Sequence, residues 1–161
     1  MSEQEYTLEE ISYSRKEDCR IMEAVLKNWF KDPKALNFVS PSLPFPFQFK
    51  KWLMVSYAKH QDETKTIVIK LDNWIVGHIS MRLIDNNAHL FHLFIDPKNR
   101  ENGLAIKLVN AMEDHGRELG AKTFSLVVQA KNDAAKKLYE KMGYIEIDRT
   151  GTRSIKMEKR A

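Results

Sequence analysis

Between Leu93 and Ala105 the chain reads Leu-Phe-Ile-Asp-Pro-Lys-Asn-Arg-Glu-Asn-Gly-Leu-Ala. A hydrophobic strand end, a polar turn with a glycine and the start of an amphipathic helix succeed one another directly. The first amides of a helix have no partner inside it, and the aligned peptide dipoles make that end positive. Such a junction is a seat for an anion, with the amides from Glu101 to Ile106 able to converge on phosphate oxygens. Gly103 has no Cβ, so the backbone can come close to an oxygen there. Neither the Gly-Lys-Ser/Thr ending of a mononucleotide loop nor a Gly-x-Gly-x-x-Gly fingerprint is present. No pair of histidines has metal-ligand spacing with carboxylate or cysteine support, so no metal is expected.

The elements that would position this seat emerge from periodicity. Leu8 to Tyr13 is expected as an opening strand and Lys16 to Phe30 as a helix, capped by Ser14 with Glu17 and ended near Pro33. The text from Leu36 to Phe49 is irregular and proline-rich, a stiff aromatic loop rather than a strand or helix. A second helix is expected over Phe49–Ala58, then strands at Lys65–Leu71, Trp74–Leu83 and Ala88–Ile95, separated by the polar turns Asp72-Asn73 and Asp85-Asn86-Asn87. Helix Gly103–Leu119, strand Phe124–Val128, helix Asn132–Met142 and strands Tyr144–Asp148 and Ser154–Glu158 complete the series. Antiparallel strands followed by alternating strands and helices predict an α/β fold, a mixed, mostly antiparallel twisted sheet flanked by helices on both faces. No internal repeat divides the chain, so residues 1–161 are expected as a single domain.

Composition narrows the setting. With 43% hydrophobic and 30% charged residues this is the make-up of a soluble globular chain. No long apolar run is present, so no membrane partner is expected. The polar start Met1–Glu5 predicts no secretory signal, and the lone Cys19, placed in the first helix, suits a reducing compartment; a cytoplasmic location is the expectation. A net charge of +4 favours anionic partners, but Lys and Arg alternate with acids along the chain. The Arg153–Arg160 stretch reads as an edge or penultimate strand with a solvated basic face, and no nucleic-acid partner is expected.

Two segments together resemble a known family. Arg100-Glu101-Asn102-Gly103-Leu104-Ala105, preceded by Leu93, Ile95 and Pro97, is similar to the first signature of the GCN5-related N-acetyltransferases (GNAT). Asn132-Asp133-Ala134-Ala135-Lys136-Lys137-Leu138-Tyr139-Glu140-Lys141-Met142-Gly143-Tyr144 is similar to the second. The resemblance covers about Thr66 to Asp148. It implies the acyl-CoA N-acyltransferase fold and acetyl-CoA as acyl-donor co-substrate. It places Leu93, Phe94, Ile95, Arg100, Glu101, Asn102, Gly103, Leu104, Ala105, Ile106 and Asn132 at the coenzyme. By the same resemblance the strand carrying Leu93 and Ile95 splays from Phe124–Val128 to admit the pantetheine arm, and main-chain N–H groups around Phe94 and Ile95 polarise the thioester. Glu101 and Asn102 stand where small or basic residues are common, so less side-chain charge assists the phosphates.

The resemblance also implies roles. Tyr139 matches a tyrosine that protonates the departing thiolate, a task suited to a phenol with a pKa near 10. His89 stands where one branch of the family carries its general base, and Val127 stands where another branch has a glutamate. Period-two alternation puts His89 on one face with Phe91, Leu93 and Ile95 and turns His92 to the other. His78 is a second candidate base; His60 and His115 read as peripheral or structural. The implied activity is acetyl transfer to a primary amine, of a small molecule or a peptide N-terminus, by direct attack in a ternary complex. The alternative is a catalytically silent acetyl-CoA-binding regulatory module, and a homodimer is compatible with either. Trp29, Phe30, Phe45, Phe47 and Trp52 are expected to offer the acceptor an aromatic surface, with Asp32, Asp85 and Glu146 available to attract an ammonium.

Overall fold

The computed structural model describes residues 5–100, 102–150 and 153–161. Seven strands form one sheet: β1 (Tyr6–Ile11), β2 (Thr64–Leu71), β3 (Trp74–Ile84), β4 (Asn87–Ile95), β5 (Thr123–Gln129), β6 (Ile145–Thr150) and β7 (Ser154–Arg160). Their order is β1-β2-β3-β4-β5-β7-β6, antiparallel throughout except for the parallel β4–β5 pair. Helices α1 (Lys16–Trp29), α2 (Pro33–Val39) and α3 (Phe49–Ser56) pack on one face; α4 (Leu104–Glu118) and α5 (Asp133–Lys141) pack on the other. The mixed, mostly antiparallel sheet with two helical layers is the architecture the patterning predicts.

Alternation along the strands makes two cores. Ile67, Ile69, Ile79, Met81 and Leu90 meet Leu104, Leu108 and Met112 of α4, while Val68 and Phe94 meet Met22, Leu26, Phe30 and Trp52 opposite. Phe30 and Trp52 are fully buried, each removal from water stabilising by roughly 2–3 kcal/mol. The hairpin between β3 and β4 turns on Asp85 and Asn86, both left-handed (φ 52° and 65°), the geometry of a type I′ turn whose twist matches the strands. The turn is therefore tighter than expected, because Asn87 already belongs to β4.

One inserted residue sets the facing of the rest of β4. His78 and Ser80, two apart on β3, stand opposite Phe94 and Phe91, three apart on β4. The surplus residue makes a bulge, and His92 adopts φ 54° within it. A bulge inverts the parity of everything downstream. His89 and Phe91 consequently share the α1–α3 face with His92 and Phe94, whereas Leu93 and Ile95 pack with the α4 core. The expected grouping of His89 with Leu93 and Ile95, and of His92 apart from it, is corrected by that single residue.

The first sixty residues bring further corrections. Helix α2 occupies part of the segment expected to be irregular. Asp32 accepts from Lys34 N at 3.0 Å and Pro33 takes the first helical position, so Pro33 opens a helix as well as ending one. At α1 the N-cap is Arg15, without a side-chain cap. Ser14 Oγ instead pairs with Ser12 Oγ at 2.6 Å, and Asp18 reaches back to accept from Ser12 N at 2.9 Å, so Ser14 and Glu17 form no capping box. Phe30, Phe47 and Trp52 pack on one another rather than forming an open acceptor surface, whereas Trp29 packs on Phe94 and lines the cleft beside α4; only Phe45 of that set is exposed. Asp85 lies in the β3–β4 hairpin turn, and Glu146 lies 3.7 Å from Lys136.

Candidate active site

Past β4 the chain makes a 3₁₀ turn at Pro97–Asn99, whose first amide is held by Asp96, with Lys98 N donating to Oδ1 at 3.0 Å. Gly103 then takes the N-cap of α4 at φ 73°. Beyond its chain neighbours, no atom of the described residues lies within 4 Å of where its Cβ would stand, so the left-handed backbone angle calls for glycine. Helix α4 has neither a side-chain cap nor an acid in its first turn. Its first internal bond is Lys107 N to Gly103 O at 3.2 Å, which leaves the amides of Leu104, Ala105 and Ile106 directed outward for an external acceptor. By contrast, α5 is capped by Asn132, whose Oδ1 accepts from Ala135 N at 3.2 Å.

These amides open on a cleft of about 590 Å³. Leu93, Phe94 and Ile95 from β4, Arg100, Gly103, Leu104, Ala105 and Ile106 from the turn and α4, and Asn132 from the α5 cap all line it. Asn102 is exposed and does not line the cleft; Glu101 lies outside the described residues. Asp32, Lys34, Phe38 and Val39 of the α2 segment close the opposite wall. Sequence patterning does not single out this wall, apart from Asp32, although the Asp32-Pro33 pair is a usable helix-start signal. Arg100 is fixed twice: its Nε donates to Ile95 O at 3.0 Å and its guanidinium lies 5.2 Å from the Phe94 ring centroid. Lys34 and Arg100 are the cations among the lining residues.

Strands β4 and β5 pair only over Asn87–His89 with Thr123–Ser125. Beyond that they part, and a second cavity of about 130 Å³ lies between them, lined by Leu90, His92, Leu93, Leu126, Val128, Asn132 and Tyr139 among others. Asp96 N donates to Val76 O at 2.8 Å, so in the alternating ladder Phe94 bonds to β3 and Ile95 turns its N–H toward the parted side. Of the two amides singled out from the sequence, Ile95 is thus the one facing the opening. A third cavity of about 190 Å³, lined by Ser40, Pro41, Ser56, His89, Phe91 and Val127, continues from the second on the α1–α3 face. All three cavities share Phe38 and Val39 in their walls and so adjoin one another.

Tyr139 lies in the middle cavity, 5.8 Å and nearly perpendicular to Tyr144, with no hydrogen-bond partner among the described residues. Burial pushes its phenol pKa up, so it stays protonated. His89 is half-buried; its Nδ1 lies 3.0 Å from Ser125 Oγ, and burial, with Arg82 and Lys156 adding to it, pulls its pKa down. His89 lines the third cavity but not the one holding Tyr139, so the structure does not place these two in one cavity. His78 is sealed: Nδ1 donates to His92 O at 2.8 Å, Nε2 accepts from Tyr13 Oη at 2.8 Å, and burial lowers its pKa to about 4. His92 lines both the second and third cavities. Its bulge carries no residue-type signal, which is why simple alternation turns it away from the site. Among the described residues no cluster of His, Cys, Asp or Glu could hold a metal, and no helix is long and apolar enough to cross a membrane.

Comparison with known proteins agrees with this geometry. Over 73 residues the chain is 34% identical to the N-terminal acetyltransferase B complex catalytic subunit NAA20 of Arabidopsis thaliana, covering 45% of this chain and 42% of that protein. Over 76 residues it is 37% identical to a ribosomal protein bS18-alanine N-acetyltransferase of Haemophilus ducreyi, covering 47% and 52% respectively. The matched stretch thus spans about half the length of these curated relatives. The PaiA N-acetyltransferase of Thermoplasma acidophilum, solved with coenzyme A, superposes with a TM-score of 0.74 at 17% identity over 98% of this chain and 99% of that one, a likeness of fold. Residues 47–161 match the acetyltransferase (GNAT) domain, and with the parted strands and the uncapped α4 the chain belongs to the GNAT acetyltransferase family.

Proposed function

We propose that this chain transfers an acetyl group from acetyl-CoA to a primary amine by direct attack while both are bound. The observation that carries the reading is an adjacency: the cleft at the free amides of the α4 N-terminus shares Leu93, Asn132 and Ala135 with the gap where β4 leaves β5, and Tyr139 lines that gap. The cleft of about 590 Å³ is of the size ligand sites have, and Gly103 keeps the approach to the amides clear. Bound acetyl-CoA would supply an activated thioester carbonyl and a thiol leaving group. The amides of Leu104, Ala105 and Ile106, with Lys34 and Arg100 beside them, hold phosphate oxygens. Ile95 N–H donates to the thioester carbonyl oxygen and stabilises charge as it develops there. Tyr139 gives its phenolic proton to the departing sulfur.

The acceptor is a small-molecule amine or a peptide N-terminus, entering by the cavity beside Ser40, Pro41 and Phe91. Both curated relatives carry N-acetyltransferase names, one for a protein alanine and one for protein N-termini, which supports screening peptide N-termini first. The test is a thiol-release screen with acetyl-CoA against peptides, amino acids, polyamines and aminoglycosides, with mass detection of the product. A gain of one acetyl group on an amine supports the reading. Tight acetyl-CoA binding with no product across all classes would favour a silent binding module instead.

A further inference from the structure

We propose that His92 Nε2 takes the proton released by the acceptor amine, working across one cavity from the proton donor Tyr139. This role rests on acetyl transfer as the activity and adds the second half of its proton traffic. Of the side chains lining the opening between β4 and β5, only His92 and Tyr139 are titratable. His92 also lines the adjoining cavity through which the amine would enter, so it alone of the two touches both.

The imidazole is held firmly. Its ring stacks on Trp52 (centroids 3.9 Å apart, planes at 20°) and its Nδ1 lies 2.8 Å from Tyr57 Oη. Among the described residues the polar side-chain atoms sealed without a partner are Trp52 Nε1 and Arg82 Nε. His92 Nε2 is not among those sealed atoms and has no hydrogen-bond partner among the described residues, and the residue lines both cavities. The backbone is placed with equal care: the left-handed φ of 54° is held by His78 Nδ1 donating to the His92 carbonyl. Strained conformations of this kind persist where the surroundings over-determine them, and they gather at active sites.

A hydroxyl chain leads away from Nδ1. Tyr57 Oη lies 2.8 Å from Ser80 Oγ, which lies 2.9 Å from Thr66 Oγ1. When His92 Nδ1–H donates to Tyr57, Tyr57 donates to Ser80 and Ser80 to Thr66, and the lone pair on Nε2 is left bare toward the cavity. The charged and titratable groups around the imidazole are His78 and Arg82 from β3, His89 from β4, Tyr57 beside α3 and Tyr139 across the opening. As the amine nitrogen bonds to the acetyl carbon and the C–S bond breaks, His92 Nε2 takes the nitrogen's proton and Tyr139 gives its own to sulfur. The proton on His92 then returns to the Tyr139 oxygen through water, leaving amide, thiol and both side chains as they began.

Nitrogen-15 NMR of the full chain without ligand, with His92→Asn to identify the signals, reads the tautomer directly. The expected result at pH 7 is a neutral His92 protonated on Nδ1; a proton on Nε2 overturns the proposal. With an amine found by the turnover screen, His92→Gln should lower kcat about 100-fold with the acetyl-CoA KM little changed. The acidic limb of kcat/KM should vanish in His92→Gln and persist in His89→Gln; the reverse assignment overturns it. Should His92→Gln not fold, Tyr57→Phe, which keeps the ring and removes the acceptor hydroxyl, should cost about 10-fold in kcat, and an unchanged kcat overturns it. A wild type that fails to bind acetyl-CoA in calorimetry removes the acetyl-transfer reading, while the tautomer still decides whether His92 is poised as stated.

Discussion

His78 Nδ1 donates to the main-chain carbonyl of His92 at 2.8 Å, and this bond fixes the one residue by which β4 exceeds β3. The bulge sets which residues of β4 face the cleft, so a buried histidine that lines none of the three cavities helps shape the site. Its other nitrogen is occupied by Tyr13 Oη, and the ring is sealed from water.

That burial makes a prediction about pH. His78 drops from 6.5 to about 4 in the fold, chiefly by burial, with the bond to His92 opposing. Below pH 6.5 the unfolded chain takes up a proton that the folded chain refuses, so stability is full above that pH and falls as pH approaches 4. The displacement corresponds to roughly 3 kcal/mol once both states titrate. Urea denaturation at several pH values between 7 and 4 should show the loss, and His78→Gln should show a shallower one. An identical slope in the variant would sink the assignment.

Gly103 offers a test of the anion seat. Its φ of 73° is left-handed, and beyond its chain neighbours no described residue comes within 4 Å of the position of a Cβ. Gly103→Ala therefore suffers only the backbone penalty, about 1–2 kcal/mol. We expect coenzyme A affinity to fall about 10-fold in calorimetry as the leading amides of α4 shift. Asparagine tolerates the left-handed region better, so Gly103→Asn should lose less. Equal losses for the two would place the effect in side-chain bulk instead of backbone angle.

Tyr139→Phe separates chemistry from packing. The hydroxyl has no partner among the described residues, so its removal should leave Tm nearly unchanged while the ring still packs edge-on against Tyr144. If the phenol protonates the leaving sulfur, thiol release should fall about 100-fold. Since burial raises the phenol pKa, no basic limb from Tyr139 is expected near neutral pH in the wild type. Equal kcat in wild type and variant would make Tyr139 a core residue only.

The legible and the hidden parts of this sequence divide along a physical line. Gly103, Asn132 and the amides after Gly103 can be read because turns and helix starts are local, dictated by a few adjacent residues. The strands of the sheet are legible for the same reason, their alternation being a near-neighbour property. The face of His89 is not, because parity on β4 depends on pairing with β3, and nothing in His92 itself announces an inserted residue. The aromatic cluster of Phe30, Phe47 and Trp52 is hidden differently: composition shows aromatic surface but not which side of it is covered. Helix α2 escapes the pattern although Asp32-Pro33 marks its start, since the helix is only seven residues long and runs straight into a proline-rich stretch.

Two glycines in the core distinguish stability from function. A Cβ on Gly77 would stand 2.7 Å from Ile69 Cγ2, 2.8 Å from Ile95 Cδ1 and 3.0 Å from Leu108 Cδ1. Ile95 is paired with Gly77 and lines the cleft, so relief of that clash displaces a residue of the site. A Cβ on Gly116 would instead meet Phe124 Cε1 at 2.6 Å, in the core under α4 with neither residue lining the cleft. Both alanine variants should lose about 1–3 kcal/mol from overpacking in urea denaturation. Only Gly77→Ala should also weaken coenzyme A binding, by several-fold at a pH and temperature where both variants are folded. Loss of binding in Gly116→Ala of the same size would mean that overpacking anywhere in the α4 core reaches the cleft, and that the Ile95 contact carries no special weight.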